Sequence, residues 1–314
     1  MRSQTVRDLP LLAVAVVWGS SFLVLKQVVT QETVLGTLVL RFGIAVPLLA
    51  VFAWRGLRRL SAREWLGGAS LGLILASIFL METYGAIHTT ATNAGLIVSL
   101  TMVFTPLAES ALRRTALPRA FLGAAFMSVV GVALLTGGGF HAPRSGDFLI
   151  LGSALVRTVH VLAMSRAKWI KGTDALSLTW IQLGTAAVVF ALVSPFVGSS
   201  PLAVARSYGA ADWAGLLYLT LLCTLFAFLV QMWAVRTTSP SRVSLLLGTE
   251  PLWAAVFGTA LGGDRLGALA LLGGLLVLAG TEWGRRASAP PAATAAPVDP
   301  VDPVDPADRA PELV

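Results

Sequence analysis

Residues 64–90 read EWLGGASLGLILASIFLMETYGAIHTT, and residues 212–238 read DWAGLLYLTLLCTLFAFLVQMWAVRTT. Glu64-Trp65-Leu66-Gly67 at the start of the first stretch is echoed by Asp212-Trp213-Ala214-Gly215 in the second. Ala86-Ile87-His88-Thr89-Thr90 at its end is echoed by Ala234-Val235-Arg236-Thr237-Thr238. Both correspondences have the same offset, 148 residues, and they bracket a predominantly apolar run. About 20 apolar residues are what a helix needs to cross roughly 30 Å of hydrocarbon. Without water, the backbone in such a run satisfies its polar groups only by forming a helix. The chain therefore carries one membrane helix twice. The sequence around it is duplicated with it: Leu96-Ile97 matches Leu245-Leu246 after one inserted residue.

The rest of the chain agrees. Of 314 residues, 56% are hydrophobic and only 12% charged, with mean hydropathy +0.78. A soluble domain carries about 25% charged residues, so these charges are too few to coat a water-facing surface. Apolar runs predict an all-α membrane protein of ten helices, at 9–29, 34–54, 65–87, 92–111, 119–136, 147–166, 175–196, 213–235, 241–261 and 265–283. Breakers divide them: Arg55 to Arg63, Leu117-Pro118, Gly137-Gly138-Gly139, Gly172-Thr173-Asp174 and Ser239-Pro240. The run from Leu9 to Thr30 has no clear small-residue cleavage site and reads as a retained helix, not a signal peptide.

The repeat pairs the third helix with the eighth, so each half holds five helices. Five is odd, and the second half is expected to lie upside down relative to the first. This gives residues 1–140 and 141–286 as two inverted five-helix repeats. Residues 287–314, rich in Ala, Pro and Asp, form an expected disordered cytoplasmic tail. In the ten-helix frame, sixteen Lys and Arg collect on one side, Arg59, Arg119 and Lys171 among them, against Arg144, Arg206 and Arg265 on the other. The positive-inside rule places both termini in the cytoplasm. Inverted repeats of this kind recur in secondary transporters.

Several chemistries are disfavoured. A single cysteine, Cys223, allows no internal disulfide and no thiolate zinc site, and the three histidines are scattered, so neither metal nor cofactor is expected. The net charge of +7 is accounted for by membrane orientation, not by nucleic acid. No G-x-x-x-x-G-K-[ST] motif marks a nucleotide-driven pump.

In Trp18-Gly19-Ser20-Ser21-Phe22 with Lys26, Leu40-Arg41-Phe42, the Gly123 to Gly131 stretch, and Leu245-Leu246-Leu247 with Glu250-Pro251, the chain resembles the EamA family of the drug/metabolite transporter superfamily. The resemblance covers residues 9 to 284. It implies ten helices in inverted repeats, a central cavity between the halves, and export of amino acids, other metabolites or toxic compounds. Where the family often has Gly-Glu before its fifth and tenth helices, this chain has Leu112-Arg113-Arg114 and Gly263-Asp264. Where the family's sixth helix usually has an aromatic, this chain has Arg157, which implies a specialised substrate.

The candidate site residues are polar groups stranded in apolar helices. A charge at a helix centre costs about 2.5–3.5 kcal/mol on insertion scales. Arg157 and His160 are three residues apart, near one face of the sixth helix. The guanidinium suits a carboxylate or phosphate, and the imidazole suits proton transfer or a packed hydrogen bond. Glu250, midway along the ninth helix before Pro251, suits an amine or a coupling proton, or a structural pairing with Arg157 or Arg41. Glu82 is placed either in the cavity or at the outer headgroups. Gln231 occupies the repeat position of Thr83. Arg41 and Lys26 lie within snorkelling reach of the outer surface. Trp18 is mid-membrane, away from the interfacial belts, and floors a cavity or packs in the core. Glu109 is expected to pair with Arg113.

Two rivals have sequence support. Gly68-Ala69-Ser70-Leu71-Gly72 matches the G-x-S-x-G pattern of serine hydrolases, but that elbow requires a strand-to-helix turn, and this run is inside a predicted helix. A channel would favour rings of ligands in a symmetric oligomer. The expectation is therefore not an enzyme but a secondary active transporter in the cytoplasmic membrane of a bacterium. It would export a small metabolite, amino acid or drug-like compound by alternating access, with membrane lipid as solvent and a coupling proton from Glu82, Glu250 or His160. The sequence does not give its oligomeric state.

Overall fold

The computed structural model describes residues 2–89, 97–135, 144–262 and 267–287. Among them there is no strand. The helices are α1 (Arg2–Val28), α2 (Val34–Leu57), α3 (Ala62–Ile87), α4 (Thr101–Arg113), α5 (Arg119–Leu135), α6 (Ser145–Arg166), α7 (Ala175–Val193), α8 (Ala210–Thr237), α9 (Pro240–Leu247), α10 (Glu250–Gly262) and α11 (Ala268–Ala287). A short helix, Pro201–Ser207, lies between α7 and α8. Among the described residues, five segments are long and apolar enough to cross a membrane: α2, α3, α6, Ala175–Phe196 and α8. Asp8–Ser21, Arg119–Leu134 and Ala268–Gly284 form shorter apolar helices.

Local chemistry sets the helix ends. Ser61 caps α3 through a reciprocal pair of bonds with Glu64, satisfying two of the donors that a helix start leaves open. Asp174 caps α7 and Ser239 caps α9, each accepting a backbone N–H. Inside the bundle, glycines allow close approach. A Cβ on Gly72 would fall 2.6 Å from the Thr185 side chain and 2.8 Å from the Gln182 carbonyl. Gly68 faces Ile181 as tightly. The Gly68–Gly72 run is thus the α3–α7 contact seam. Ser70 donates to the Leu66 carbonyl of its own helix, and no strand-to-helix elbow exists there. Gly123, Gly131 and Gly280 make a similar seam between α5 and α11.

One main core joins α1, α2, α3, α6, α7 and α8, with Phe42, Phe190, Leu75 and Leu178 nearly or fully buried. A smaller one joins α4, α5 and α11 through Met102, Val132 and Val277. The outer faces stay apolar, with Phe52, Leu66, Phe126 and Leu275 exposed, as lipid contact requires.

Two departures from the expected helices bear on the site. The ninth predicted span is broken: α9 ends at Leu247, Gly248 and Thr249 intervene, and α10 starts at Glu250. Pro251 has no N–H to continue the ladder but fits the first turn of a new helix, where that donor would be unsatisfied anyway. Within α8, Leu221–Phe226 is a π-helical turn. The start of the fourth predicted helix, Gly137-Gly138-Gly139, Gly263-Asp264 and the expected tail from 288 onward lie outside the described residues.

Candidate functional site

Five helices aim polar side chains at one point. α1 brings Trp18, α2 Arg41, α3 Glu82 and Thr83, α6 Arg157, and α10 brings Glu250 at its first residue. Together they line a cavity of about 80 Å³. A second cavity, of about 20 Å³, is lined by Arg157 and Glu250 again, with Ser99, Thr101, Gln231 and Ser244. Arg157 and Glu250 form the wall between the two.

The charges are arranged in a definite pattern. Arg157 Nη2 donates to Glu82 Oε1 in an ion pair across α6 and α3; Ser153 Oγ, which donates to the Ile150 carbonyl at 2.9 Å, lies 3.4 Å from the same oxygen. Among the described residues, the Arg157 Nε–H has no acceptor. No cation reaches ion-pair distance of the Glu250 carboxylate there. Of the alternatives for Glu250, a structural pairing with Arg157 or Arg41 is not formed among the described residues, and Arg157 pairs with Glu82 instead. The α3–α6 packing brings Glu82 to Arg157, while Glu250 sits at the first residue of α10.

Each arginine also lies over an aromatic ring. Arg157 Cζ is 5.1 Å from the Trp18 ring centroid and Arg41 Cζ is 5.2 Å from that of Phe79. Cation–π contact of this kind favours a guanidinium held out of water. Phe228 closes the aromatic wall, 5.7 Å from Trp18 and 5.6 Å from Phe79.

The π turn of α8 holds this wall in place. A π turn widens the backbone ladder and leaves groups open to outside partners. Here Trp18 Nε1 donates to the Cys223 carbonyl at 2.9 Å. Thr224 Oγ1 donates to the Leu219 carbonyl, five residues back, at 2.9 Å, and accepts from Arg41 Nε at 2.6 Å. Arg41 is thereby buried in the site, not snorkelling to the surface.

Of the two readings of His160, the structure has the packed hydrogen bond. The residue is 1% exposed and lines neither cavity. Three residues of helix turn the side chain about 60° from Arg157, enough to point it at α7. There Gln182 donates its amide to the Leu178 carbonyl at 3.3 Å, which leaves Oε1 facing His160 Nε2 at 2.7 Å. The imidazole proton is thus on Nε2, in a satisfied, packed bond. Gln231 and Thr83 also part company, since Thr83 lines the larger cavity and Gln231 the smaller. Glu109 makes the expected pair with Arg113, at 2.9 Å, and also accepts from Ser241 N and Oγ at 3.0 and 2.5 Å.

Sequence reasoning missed Cys223, Thr224, Phe79 and Phe228. The available signal was Thr220 and Thr224, two hydroxyls four residues apart in an otherwise apolar run.

The EamA-like transporter family matches this chain twice, over residues 7–137 and 144–282. The chain belongs to that family. As an EamA-like protein it is a membrane transporter, and a multi-pass protein of the cytoplasmic membrane. It is 28% identical over 273 residues to an "uncharacterized transporter" of Archaeoglobus fulgidus, covering 84% of this chain and 92% of that one. It is 26% identical over 274 residues to the "uncharacterized inner membrane transporter YedA" of Escherichia coli K12, covering 86% and 87%. A solved structure titled "Crystal structure of protein" is similar in fold, with TM-score 0.73 and 17% identity, covering 90% of this chain and 98% of that one.

Proposed function

We propose that this EamA-like protein is a secondary active exporter of a small metabolite, amino acid or drug-like compound, working by alternating access. In this reading ten spans form two inverted halves, residues 1–140 and 141–286, with both termini cytoplasmic. The observation that carries it is the meeting of Arg41, Glu82, Arg157 and Glu250, from four helices, around one cavity between the halves. Four costly charges in an apolar bundle need a reason, and a cavity lined by two carboxylates and two guanidiniums supplies it.

The helix packing supports the inverted repeat. α1 lies against α8 and α10, and its counterpart α6 lies against α3 and α4. α2 packs on α7 and α5 on α11, each on its own counterpart. These are the pairings that a two-fold axis in the membrane plane would produce. The two family matches support it too.

The site favours a substrate with an acceptor group for the Arg157 Nε–H and a donor for Glu250. A coupling proton would use Glu250, whose carboxylate is the one in the cavity wall without an ion pair among the described residues. The larger cavity, about 80 Å³, is well below the ~300–1,000 Å³ of ligand pockets; in this reading it is a contracted state of the site. Towards the terminal side, residues 240–251 are buried throughout. Arg242 there holds Asp8 of α1 through two bonds, at 3.0 and 2.7 Å. This buried pair is the gate on that side.

The test is a metabolite comparison of cells overexpressing the wild type, the Arg157→Ala variant and empty vector. The wild type alone should enrich a small set of compounds outside the cell. Three matching exometabolomes would remove the reading.

A further inference from the structure

At the end of the bundle where α3 begins, a groove of about 690 Å³ opens between α3 and the single turn Lys168–Ile170. Its floor is Gly67. The Trp169 indole lies so close to that glycine that a Cβ there would fall 2.3 Å from the ring. Arg63 and Lys168 bring two exposed cations to the walls. The carboxylate in the groove, Glu64, is already engaged, accepting from Ser61 N–H at 2.8 Å and from Thr173 Oγ1 at 2.6 Å. Trp169 is 60% exposed and Leu66, on the lip, 71%. Leu73 continues the same stripe of α3 two turns on and is also exposed.

These features select different parts of one ligand. Two cations exceed the one acid, so the groove favours an anion. An exposed tryptophan at the end of membrane helices belongs at headgroup depth. The apolar stripe descending from the groove has no use for a free ion but suits an acyl chain. Basic pockets between membrane helices favour anionic headgroups on the same grounds.

We propose that this groove docks an anionic phospholipid. Its phosphodiester lies between Arg63 and Lys168, its glycerol region on Trp169, and one acyl chain along Leu66 and Leu73. The bound lipid ties α3 to the α6–α7 connection. A zwitterionic lipid fits less well, because it brings its own cation to a site with two.

The experiment uses the purified full chain, delipidated in detergent, with phosphatidylglycerol, phosphatidylcholine or inorganic phosphate added. Thermal unfolding and native mass spectrometry are the readouts. Phosphatidylglycerol should remain bound and raise Tm by about 2–4 °C, while the other two leave it unchanged. The Arg63→Gln/Lys168→Gln variant should lose that gain, and so should the single surface change Lys168→Glu. An equal gain with phosphatidylcholine or with inorganic phosphate would overturn the proposal. So would a full gain retained in both variants. Neither readout involves transport, so the outcome is separate from that of the exporter reading.

Discussion

Arg157 on α6 is bonded to Glu82 on α3, while its buried Nε–H finds no acceptor among the described residues. A buried donor without a partner costs about 1–3 kcal/mol. The arginine is thus held in place by one bond and left with another to make.

The pair itself yields the first prediction. Removing one member of a largely buried ion pair leaves an uncompensated charge, at a cost of about 3–5 kcal/mol in closed interiors. Both side chains here keep some solvent contact, so the lower part of that range applies. Glu82→Gln and Arg157→Gln should each lower Tm in detergent. The double variant should lose less than the sum of the two, leaving a coupling energy of about 1–3 kcal/mol. Strict additivity would show that the pair contributes nothing.

Trp18 offers a second test. Trp18→Phe keeps a ring beneath Arg157 but deletes the bond to the Cys223 carbonyl. The freed carbonyl lies in the π turn and is buried with its residue. A loss of about 1–3 kcal/mol is expected, with a raised KM for whichever compound the metabolite screen identifies. Unchanged stability would mean that water replaces the indole there.

A third test concerns the Asp8–Arg242 pair. In a background carrying Cys223→Ala, a reporter at Ser244→Cys lines the smaller cavity, close to Arg242 along α9. Ser244 is nearly inaccessible, so a membrane-impermeant maleimide should label it slowly. Adding Asp8→Asn should speed labelling from the terminal side by about tenfold, which corresponds to 1.4 kcal/mol at the gate. Equal rates would place the gate elsewhere.

Two glycines predict opposite signs. Gly72→Ala drives a Cβ to 2.8 Å from the Gln182 carbonyl, a backbone atom that cannot turn aside, and should destabilise by about 1–3 kcal/mol. Gly43→Ala, in α2, meets nothing within 4 Å and should stabilise by about 0.5–1 kcal/mol through helix propensity. Thermal unfolding of the two variants side by side decides whether the α3–α7 seam is as tight as described.

The helices and most of the site were legible in the chain for one reason: a charge in an apolar run is too costly to be incidental. That logic found Arg41, Glu82, Arg157 and Glu250. It could not assign partners, because Glu82 meets Arg157 through the packing of α3 on α6, which no local pattern encodes. It read His160 together with Arg157 because spacing of three suggests a shared face, yet a 60° turn moved the ring into the α7 interface. Pro251 signalled a disturbance at Glu250 but not a complete break in the helix. The π turn at Leu221–Phe226 was marked only by the hydroxyls of Thr220 and Thr224, which an ordinary apolar helix also accommodates.

That wide turn in α8 has a mechanical consequence. Trp18 holds the Cys223 carbonyl and Arg41 the Thr224 hydroxyl, two neighbouring residues of the same π turn. Any twist that passes along α8 must therefore reach α1 and α2 together, and the aromatic wall loosens on both sides or on neither.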